Sequence, residues 1–159
     1  MSTEVEPTVT FESADPGGRR APIEFVAARA GDLPVMTGRR DWMEYHDHGV
    51  TEATGGRMRA QRTKINNGYS EVTGWHYHVC SVQWIYVVQG WQDLQLEDGT
   101  TLHMEVGDSA LIPGGYRHNE VGMSHDLDVL EISVPAKMGT VPCEAPSAWA
   151  QDGAEHVGV

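Results

Sequence analysis

Short apolar stretches that alternate with polar residues constrain this chain more than any other feature. Side chains on a β-strand point to opposite faces in turn, so a period of two predicts strands with one buried face. The stretches recur roughly every 8–12 residues between glycine turns, a spacing typical of sandwiches and barrels. The sequence therefore predicts an all-β fold. We predict strands at 23–28, 57–65, 82–88, 91–96, 102–106, 109–112 and 127–134, and a short helical turn within 41–48.

The distribution of proline predicts where the folded domain begins and ends. Between Val35 and Val134 the only proline is Pro113, whereas six prolines lie within 1–22 and 135–146. Proline and small polar residues interrupt packed elements, and 159 residues suits one domain. We therefore expect a flexible N-terminal segment at 1–20, a single domain at 21–137 and a loosely ordered C-terminal tail at 138–159.

Charge and composition exclude several classes of partner. The chain carries 11 Lys and Arg against 23 Asp and Glu, which gives a net charge of −12 with neutral histidine. Such a chain repels phosphate, so we expect no nucleic-acid partner and no binding to anionic membranes. No apolar stretch approaches the length of a membrane span, and the first residues lack the basic and apolar regions of a signal peptide. The two cysteines lie in unlike contexts, and we expect a cytoplasmic location.

Three of the eight histidines and one glutamine form the candidate site. His76 and His78 are two residues apart, so on a strand both imidazoles point to one face. Gln83 follows on the next predicted strand, and His118 follows a Pro-Gly-Gly turn. A hairpin that places Gln83 beside the two histidines, with His118 on a neighbouring strand, brings three nitrogens and one oxygen together. Such a set of donors suits a divalent metal ion.

The spacing of these residues resembles the two paired motifs of the cupin superfamily. The first motif is matched by G-x-H-x-H-x4-Q-x6-G at 74–90 and the second by G-x5-P-x-G-x2-H at 107–118. The chain is similar to small bacterial single-domain cupins of the conserved-barrel type known as cupin 2. The resemblance implies a jelly-roll barrel (a double-stranded β-helix) in the 21–137 domain and one divalent metal ion per chain. It assigns the metal to His76, His78 and His118, with Gln83 at the place of the family's glutamate.

Two positions depart from the family pattern. Gln83 replaces the glutamate of the first motif, and Gly122 stands where the second motif has an asparagine. Three neutral imidazoles and a carboxylate leave a divalent site at +1, whereas Gln83 in place of the carboxylate leaves it at +2. We therefore expect an anionic chelating substrate that supplies the missing charge. Two roles for Gln83 remain open, which are direct ligation and a hydrogen bond to a metal-bound water.

The resemblance implies a non-haem metal-dependent dioxygenase that acts on a small oxygenated substrate of enolate or phenolic type. Fe(II) is the favoured metal, and Mn, Ni, Zn or Cu also suit imidazole ligands. Two alternatives stay open, which are a metal-dependent lyase, isomerase or cyclase and a non-enzymatic small-ligand-binding protein. Trp75, Trp84 and Trp91 fall on the opposite face to the site and favour packing or a dimer surface. We expect a homodimer joined through an edge strand.

Other polar residues have less certain roles in the sequence. Cys80 lies two residues after His78, so its side chain could point to the same face and bind the metal as a thiolate. A buried thiol is the commoner role. Arg117 suits either a substrate carboxylate or a surface ion pair. Glu131 is a candidate acid–base group, but the alternation along its strand does not show whether its side chain points to the interior or to solvent. The remaining histidines are assigned to no site, namely His46, His48, His103, His125 and His156.

Overall fold

The computed structural model describes residues 9–66, 68 and 70–149. Residues 1–8 of the predicted N-terminal segment, residues 150–159 of the predicted tail and, with them, His156 lie outside these ranges. Within them the strands are Val35–Met36 (β1), Met43–Asp47 (β2), Arg59–Ile65 (β3), His76–Val79 (β4), Val82–Gln89 (β5), Trp91–Leu96 (β6), Thr101–Glu105 (β7), Ser109–Pro113 (β8), His118–Met123 (β9), Asp128–Val134 (β10) and Gly139–Pro142 (β11). One short α-helix, α1, spans Val50–Ala53, and a 3₁₀ turn spans Ser147–Trp149.

The strands form two antiparallel sheets. One has the order β1-β2-β3-β10-β5-β8 and the other the order β11-β4-β9-β6-β7. Neighbours in each sheet are often distant in sequence, as with β3 beside β10 and β4 beside β9. This arrangement confirms the predicted all-β jelly roll. No helix in the described ranges has the length and apolar character needed to cross a membrane.

Alternation along the strands separates an apolar core from a polar interior. On β5, Gln83, Ile85 and Val87 are buried, whereas Trp84 and Tyr86 stack on the opposite face with ring centroids 5.9 Å apart. Each buried aliphatic side chain stabilises the fold by about 1.5–3 kcal/mol relative to an exposed one. The inward faces of β3, β4 and the start of β5 are instead polar and enclose a cavity. The apolar cluster beside it comprises Ile85, Val87, Leu94, Met104, Ile112, Leu127 and Val129.

Two of the predicted elements are wrong. Residues 23–28 form no strand; the Glu24 N–H donates to the Ala53 carbonyl at 2.9 Å, and Phe25 is 91% exposed. An apolar alternation forms a strand only where it pairs with a neighbour, and among the described residues β2 pairs with β1 and β3 rather than with 23–28. The helical turn predicted within 41–48 is the strand β2, because pairing with β1 and β3 on both sides outweighs local preference. The helix α1 begins after Gly49, whose φ of 74° is left-handed.

Strand β11 belongs to the sheet that carries the predicted site. It lies beyond residue 137, within the predicted tail, and pairs antiparallel with β4. Thr140 is the register partner of His78, and Pro142 is the partner of His76. Residues after 137 therefore pair with β4, the strand that carries the candidate ligands His76 and His78.

Substitution of Gly114 by alanine is expected to destabilise the fold. A Cβ at this position would lie 1.7 Å from the Cys80 carbonyl oxygen, so the β8–β9 turn and the β4–β5 turn would have to separate. Overpacking of this kind costs about 1–3 kcal/mol. Gly31 offers a control, because a Cβ there meets nothing within 4 Å and needs no left-handed φ. Urea unfolding checks the effect, and equal midpoints for G114A and G31A would contradict it.

Candidate metal centre

Strands β4 and β9 bring three imidazoles together. His76 and His78 project from one face of β4, and His76 is the register partner of His118 on β9. The His76 ring centroid lies 5.1 Å from that of His78 and 4.4 Å from that of His118, and the last two centroids are 5.1 Å apart. One ring nitrogen from each residue lies within 4.8 Å of the others. All three side chains are buried, with residue exposures of 3%, 7% and 0%.

Backbone carbonyls fix the tautomers of two of these rings. Nδ1 of His76 lies 2.7 Å from the Gly74 carbonyl oxygen, and Nδ1 of His118 lies 3.0 Å from the Tyr116 carbonyl oxygen. A carbonyl can only accept, so each Nδ1 carries the proton and donates it. This tautomer leaves Nε2 of each ring as the nitrogen that can bind a metal. Nδ1 of His78 lies 3.0 Å from the Thr140 hydroxyl oxygen, a group that can either accept from the ring or donate to it.

Burial keeps the imidazoles of β4 uncharged. It lowers the pKa of His76, and it lowers the pKa of His78 from 6.5 to about 3, with a further contribution from the neighbouring His118. Both rings are therefore neutral at physiological pH. Metal ions bind neutral imidazole, so no proton has to be displaced from these rings.

Two buried polar atoms at the centre have no hydrogen-bond partner among the described residues. They are Oε1 of Gln83 and Nε2 of His118. Gln83 is 6% exposed and lines the same cavity as His76 and His78, so its predicted inward direction is observed. An unsatisfied buried polar group costs about 1–3 kcal/mol, which a cation or an ordered water can offset. The donor set of imidazole nitrogens and an amide oxygen thus fits a divalent transition metal.

The cavity beside the histidines has a volume of about 460 Å³ and lies between the two sheets. This volume is within the range of small-molecule sites. Three arginines line it, Arg39, Arg40 and Arg59, in a chain whose net charge is −12. The buried Nε of Arg59 has no hydrogen-bond partner in the described part of the chain. These cations make the cavity suitable for an anion, and sequence reasoning missed them because no motif marks them.

Glu120 is a further residue of the centre that sequence reasoning missed. It lies two residues after His118 on β9 and therefore on the same face, which is the signal that could have identified it. Its Oε2 lies 3.8 Å from Nε2 of His76, and its Oε1 lies 3.8 Å from Nε2 of His118. Burial raises the pKa of the Glu120 carboxyl, but the two imidazoles and the Thr73 hydroxyl outweigh burial and hold that pKa below its ordinary value.

Glu131 places a second carboxyl in the cavity wall. It lies on β10 between its register partners Gln61 of β3 and Ile85 of β5, which resolves the direction that the sequence left open. Nε2 of Gln61 donates to Oε2 of Glu131 at 3.1 Å. Burial raises the pKa of Glu131, and a weaker attraction to the Arg59 cation opposes the shift. This carboxyl therefore retains its proton to a higher pH than an exposed glutamate.

The other candidates of the sequence lie outside the cavity. Cys80 occupies the bend between β4 and β5 and is absent from the lining. Nε of Arg117 lies 3.4 Å from Glu97, which corresponds to the surface ion pair among its two predicted roles. Nε2 of His46 lies 3.2 Å from Glu44, and His103 has a side chain that is 52% exposed.

The metal-free protein is expected to lose stability as the pH falls from about 6.5 towards 3. The unfolded chain binds protons on His76 and His78 in this window, whereas the folded chain keeps the rings neutral. The neutral rings therefore contribute to the free energy of unfolding above the ordinary histidine pKa. This contribution is lost as the pH falls towards the lower pKa that the rings have in the folded chain. Urea unfolding at several pH values checks the effect, and the His78→Gln variant should show a shallower dependence. Parallel curves for the two proteins would count against the neutral buried imidazole.

Comparison with known proteins identifies the domain and the fold. Residues 66–133 match the family model Cupin_2, described as a cupin domain. The solved structures similar to this chain include the polyketide cyclase RemF from Streptomyces resistomycificus, at 20% identity and a TM-score of 0.60 over 80% of this chain and 93% of that one. A Streptomyces nucleoside dehydratase matches at 13% identity and a TM-score of 0.52 over 76% and 92% of the two chains. Salicylate 1,2-dioxygenase from Pseudaminobacter salicylatoxidans matches at 13% identity and a TM-score of 0.52 over 67% and 32%. No curated protein matches the sequence.

Proposed function

This chain carries a cupin domain at residues 66–133, and on that premise we propose that it is a metal-dependent enzyme for a small anionic oxygenated substrate. The observation that carries the proposal is the convergence of three buried imidazoles beside a cavity of about 460 Å³. His76, His78 and His118 would hold one divalent ion per chain, with Gln83 beside them. Fe(II) is the favoured ion, and Mn, Ni, Zn and Cu remain alternatives because selectivity among them depends on availability as well as on ligands.

The charge of the cavity supports an anionic substrate. Arg39, Arg40 and Arg59 line the wall, and the unpartnered Nε of Arg59 is a buried donor with no acceptor among the described residues. A guanidinium in this position can donate to a carboxylate, an enolate or a phenolate of the substrate.

The chemistry that the cavity supports best is proton transfer to or from the substrate, as in a lyase, isomerase or cyclase. A bound divalent ion supplies Lewis acidity towards a substrate oxygen. Glu131 has a raised pKa and faces the same cavity, so its carboxyl can hold a proton at a pH where an ordinary glutamate is ionised. It can give that proton to the substrate and recover it at a later step. Gln61 orients the group through its hydrogen bond to Oε2.

A dioxygenase is the second candidate, and the three-histidine arrangement favours it. The sequence ranks this activity first, because the three-histidine arrangement with open positions resembles that of the cupin dioxygenases. The similarity of fold to part of a salicylate 1,2-dioxygenase supports this candidate. We nevertheless rank proton transfer first, because Glu131 places in the cavity wall a carboxyl with a raised pKa, which suits a general acid.

Two measurements on metal-loaded protein separate these candidates. Elemental analysis of protein purified without an affinity tag should find a divalent metal. Anaerobic incubation in D₂O with a panel of β-diketones and phenolic acids should then show by NMR that deuterium enters a substrate carbon faster than in a protein-free blank, since β-diketones also exchange on their own. Oxygen consumption with the same panel, without such exchange, would support the dioxygenase instead. Binding without any turnover would support the non-enzymatic alternative. The cytoplasmic location and the homodimer remain predictions of the sequence.

A further inference from the structure

We propose that Glu120 supplies to the metal centre the carboxylate that Gln83 does not. This inference rests on the proposed metal site of His76, His78 and His118. It adds a fourth ligand from β9, two residues after His118, to the three imidazoles. The centre would then carry the charge of a site with a carboxylate, although its first motif has an amide.

The distances around Glu120 carry the inference. Its two carboxylate oxygens lie 3.8 Å from Nε2 of His76 and from Nε2 of His118. These separations are too long for hydrogen bonds. Nδ1 of each ring lies against a backbone carbonyl, so each ring turns its Nε2 towards the carboxylate. An ion placed between these Nε2 atoms and the carboxylate would contact both.

A shared cation accounts for this arrangement. Zinc binds imidazole nitrogen and carboxylate oxygen at about 2.0–2.2 Å, so two such ligands of one ion lie at most about 4.4 Å apart. The two 3.8 Å separations satisfy this limit for His76 and His118, each from a different carboxylate oxygen. Among the described residues the ring nitrogens of the three histidines lie within 4.8 Å of one another without Glu120, so its carboxylate has to move towards the ion to become the fourth ligand. The Glu120 side chain is only 21% exposed, and a carboxylate in such a position requires a compensating charge.

Thr73 holds the Glu120 carboxylate in place. The Glu120 N–H donates to Oγ1 of Thr73 at 3.0 Å, and the Thr73 hydroxyl donates to Oε2 of Glu120. The Thr73 N–H donates to the Glu120 carbonyl at 3.0 Å. The next residue, Gly74, provides the carbonyl that orients His76. Thr73 is therefore a positioning residue, and the 73–74 segment aligns the carboxylate and an imidazole together.

The charge of the two side chains ranks Glu120 above Gln83. An amide oxygen is neutral and a weaker ligand than a carboxylate for a divalent ion. With Glu120 ionised, three neutral imidazoles and one carboxylate leave the site at +1 rather than the +2 expected from Gln83 alone. The remaining charge and the arginines of the cavity still favour an anionic substrate. The affinity of the centre for metal is then set more by Glu120 than by Gln83.

Metal affinity in a set of variants tests this assignment. Zn²⁺ and Co²⁺ affinities are measured by competition with a chromophoric chelator for the wild type, Glu120→Gln, Thr73→Val and Gln83→Ala. Loss of an outer partner of a metal ligand costs about 10–100-fold in affinity, so we expect Glu120→Gln to lose about 100-fold and Thr73→Val less. Gln83→Ala should lose less than Glu120→Gln. The visible spectrum of bound Co²⁺ should change in Glu120→Gln and stay unchanged in the control Glu105→Gln, whose side chain is 75% exposed.

The outcomes separate this inference from the proposed function. A wild-type chain that binds neither ion overturns both, whereas wild-type affinity and spectrum in Glu120→Gln overturn only the role of Glu120. Circular dichroism establishes that each variant is folded before its affinity is measured. A crystal structure of the wild type with Zn²⁺ gives an independent answer that needs no variant. A Glu120 oxygen at about 2.0–2.2 Å from the ion supports the inference, and a distance beyond about 3 Å overturns it.

Discussion

The His118→Ala variant is expected to lose the metal ion. His118 is fully buried and is the register partner of His76, so its imidazole cannot be replaced by a neighbouring side chain without moving the strands. Outer partners of metal ligands already contribute about 10–100-fold to affinity, and we expect removal of a ligand to cost at least about 100-fold. Elemental analysis of wild type and variant, each dialysed against metal-free buffer, measures the loss.

Thermal unfolding gives a second readout of the same loss. Metal at 100 times its dissociation constant stabilises a folded protein by about 2.7 kcal/mol, and this increment should appear in the wild type and vanish in His118→Ala. The control is His103→Ala, because His103 is 52% exposed and pairs with Asp93 away from the cavity. An equal metal-induced rise of Tm in all three proteins would refute the assignment of His118. Circular dichroism of the metal-free variant shows whether the cavity left by the imidazole has disrupted the fold.

The Glu131→Gln variant is expected to be inactive and, above mildly acidic pH, more stable than the wild type. An amide has the shape of the protonated carboxyl and can accept the Gln61 hydrogen bond, but it cannot transfer a proton. General acid–base groups contribute about 10²–10⁴-fold to rate, so kcat should fall by that factor. Deuterium exchange into the substrate, followed by NMR, measures the fall, and elemental analysis should find the metal retained.

The effect of Glu131→Gln on stability follows from the raised pKa of this carboxyl. The stability that goes with its protonated form is fully present below the unfolded pKa of 4.5 and is lost as pH rises through the folded pKa. The variant avoids this loss, so its Tm advantage over the wild type should be larger at pH 8 than at pH 4 (roughly the two ends of the window). Glu52→Gln, on the exposed helix α1, is the matched control and should show no such trend. A Tm difference that does not vary with pH would contradict a buried, protonated Glu131.

The part of the site that could be predicted from the sequence depends on local geometry. Side chains two residues apart on a strand lie on one face. His76 and His78 therefore point in the same direction once β4 forms. Gln83 shares its face with Ile85 and Val87 for the same reason, and all three are buried. His118 was found through the spacing of two motifs, which encodes a turn and a strand partner that no local rule supplies.

The part that could not be predicted depends on which strands become neighbours. In any strand the Glu131 side chain points to the face opposite those of its two neighbours. Only the position of β10 between β3 and β5 turns that face towards the interior. Glu120 obeys the same parity as His118, yet its proximity to His76 arises from the pairing of β4 with β9. The alternation at 23–28 failed for the converse reason, since no strand pairs with it among the described residues.

The sequence by itself determined that the chain is built of strands, that its motif spacing resembles the paired cupin motifs and that His76 and His78 share one face. These properties follow from a period of two and from fixed spacings, which are set residue by residue along the chain. Only the tertiary structure decided the charge and the acid–base groups of the interior: Glu120 beside two imidazoles, Glu131 in the cavity wall and arginines from distant segments. The physical reason is that burial and proximity, which set the state of a charged group, depend on strand order and register across both sheets.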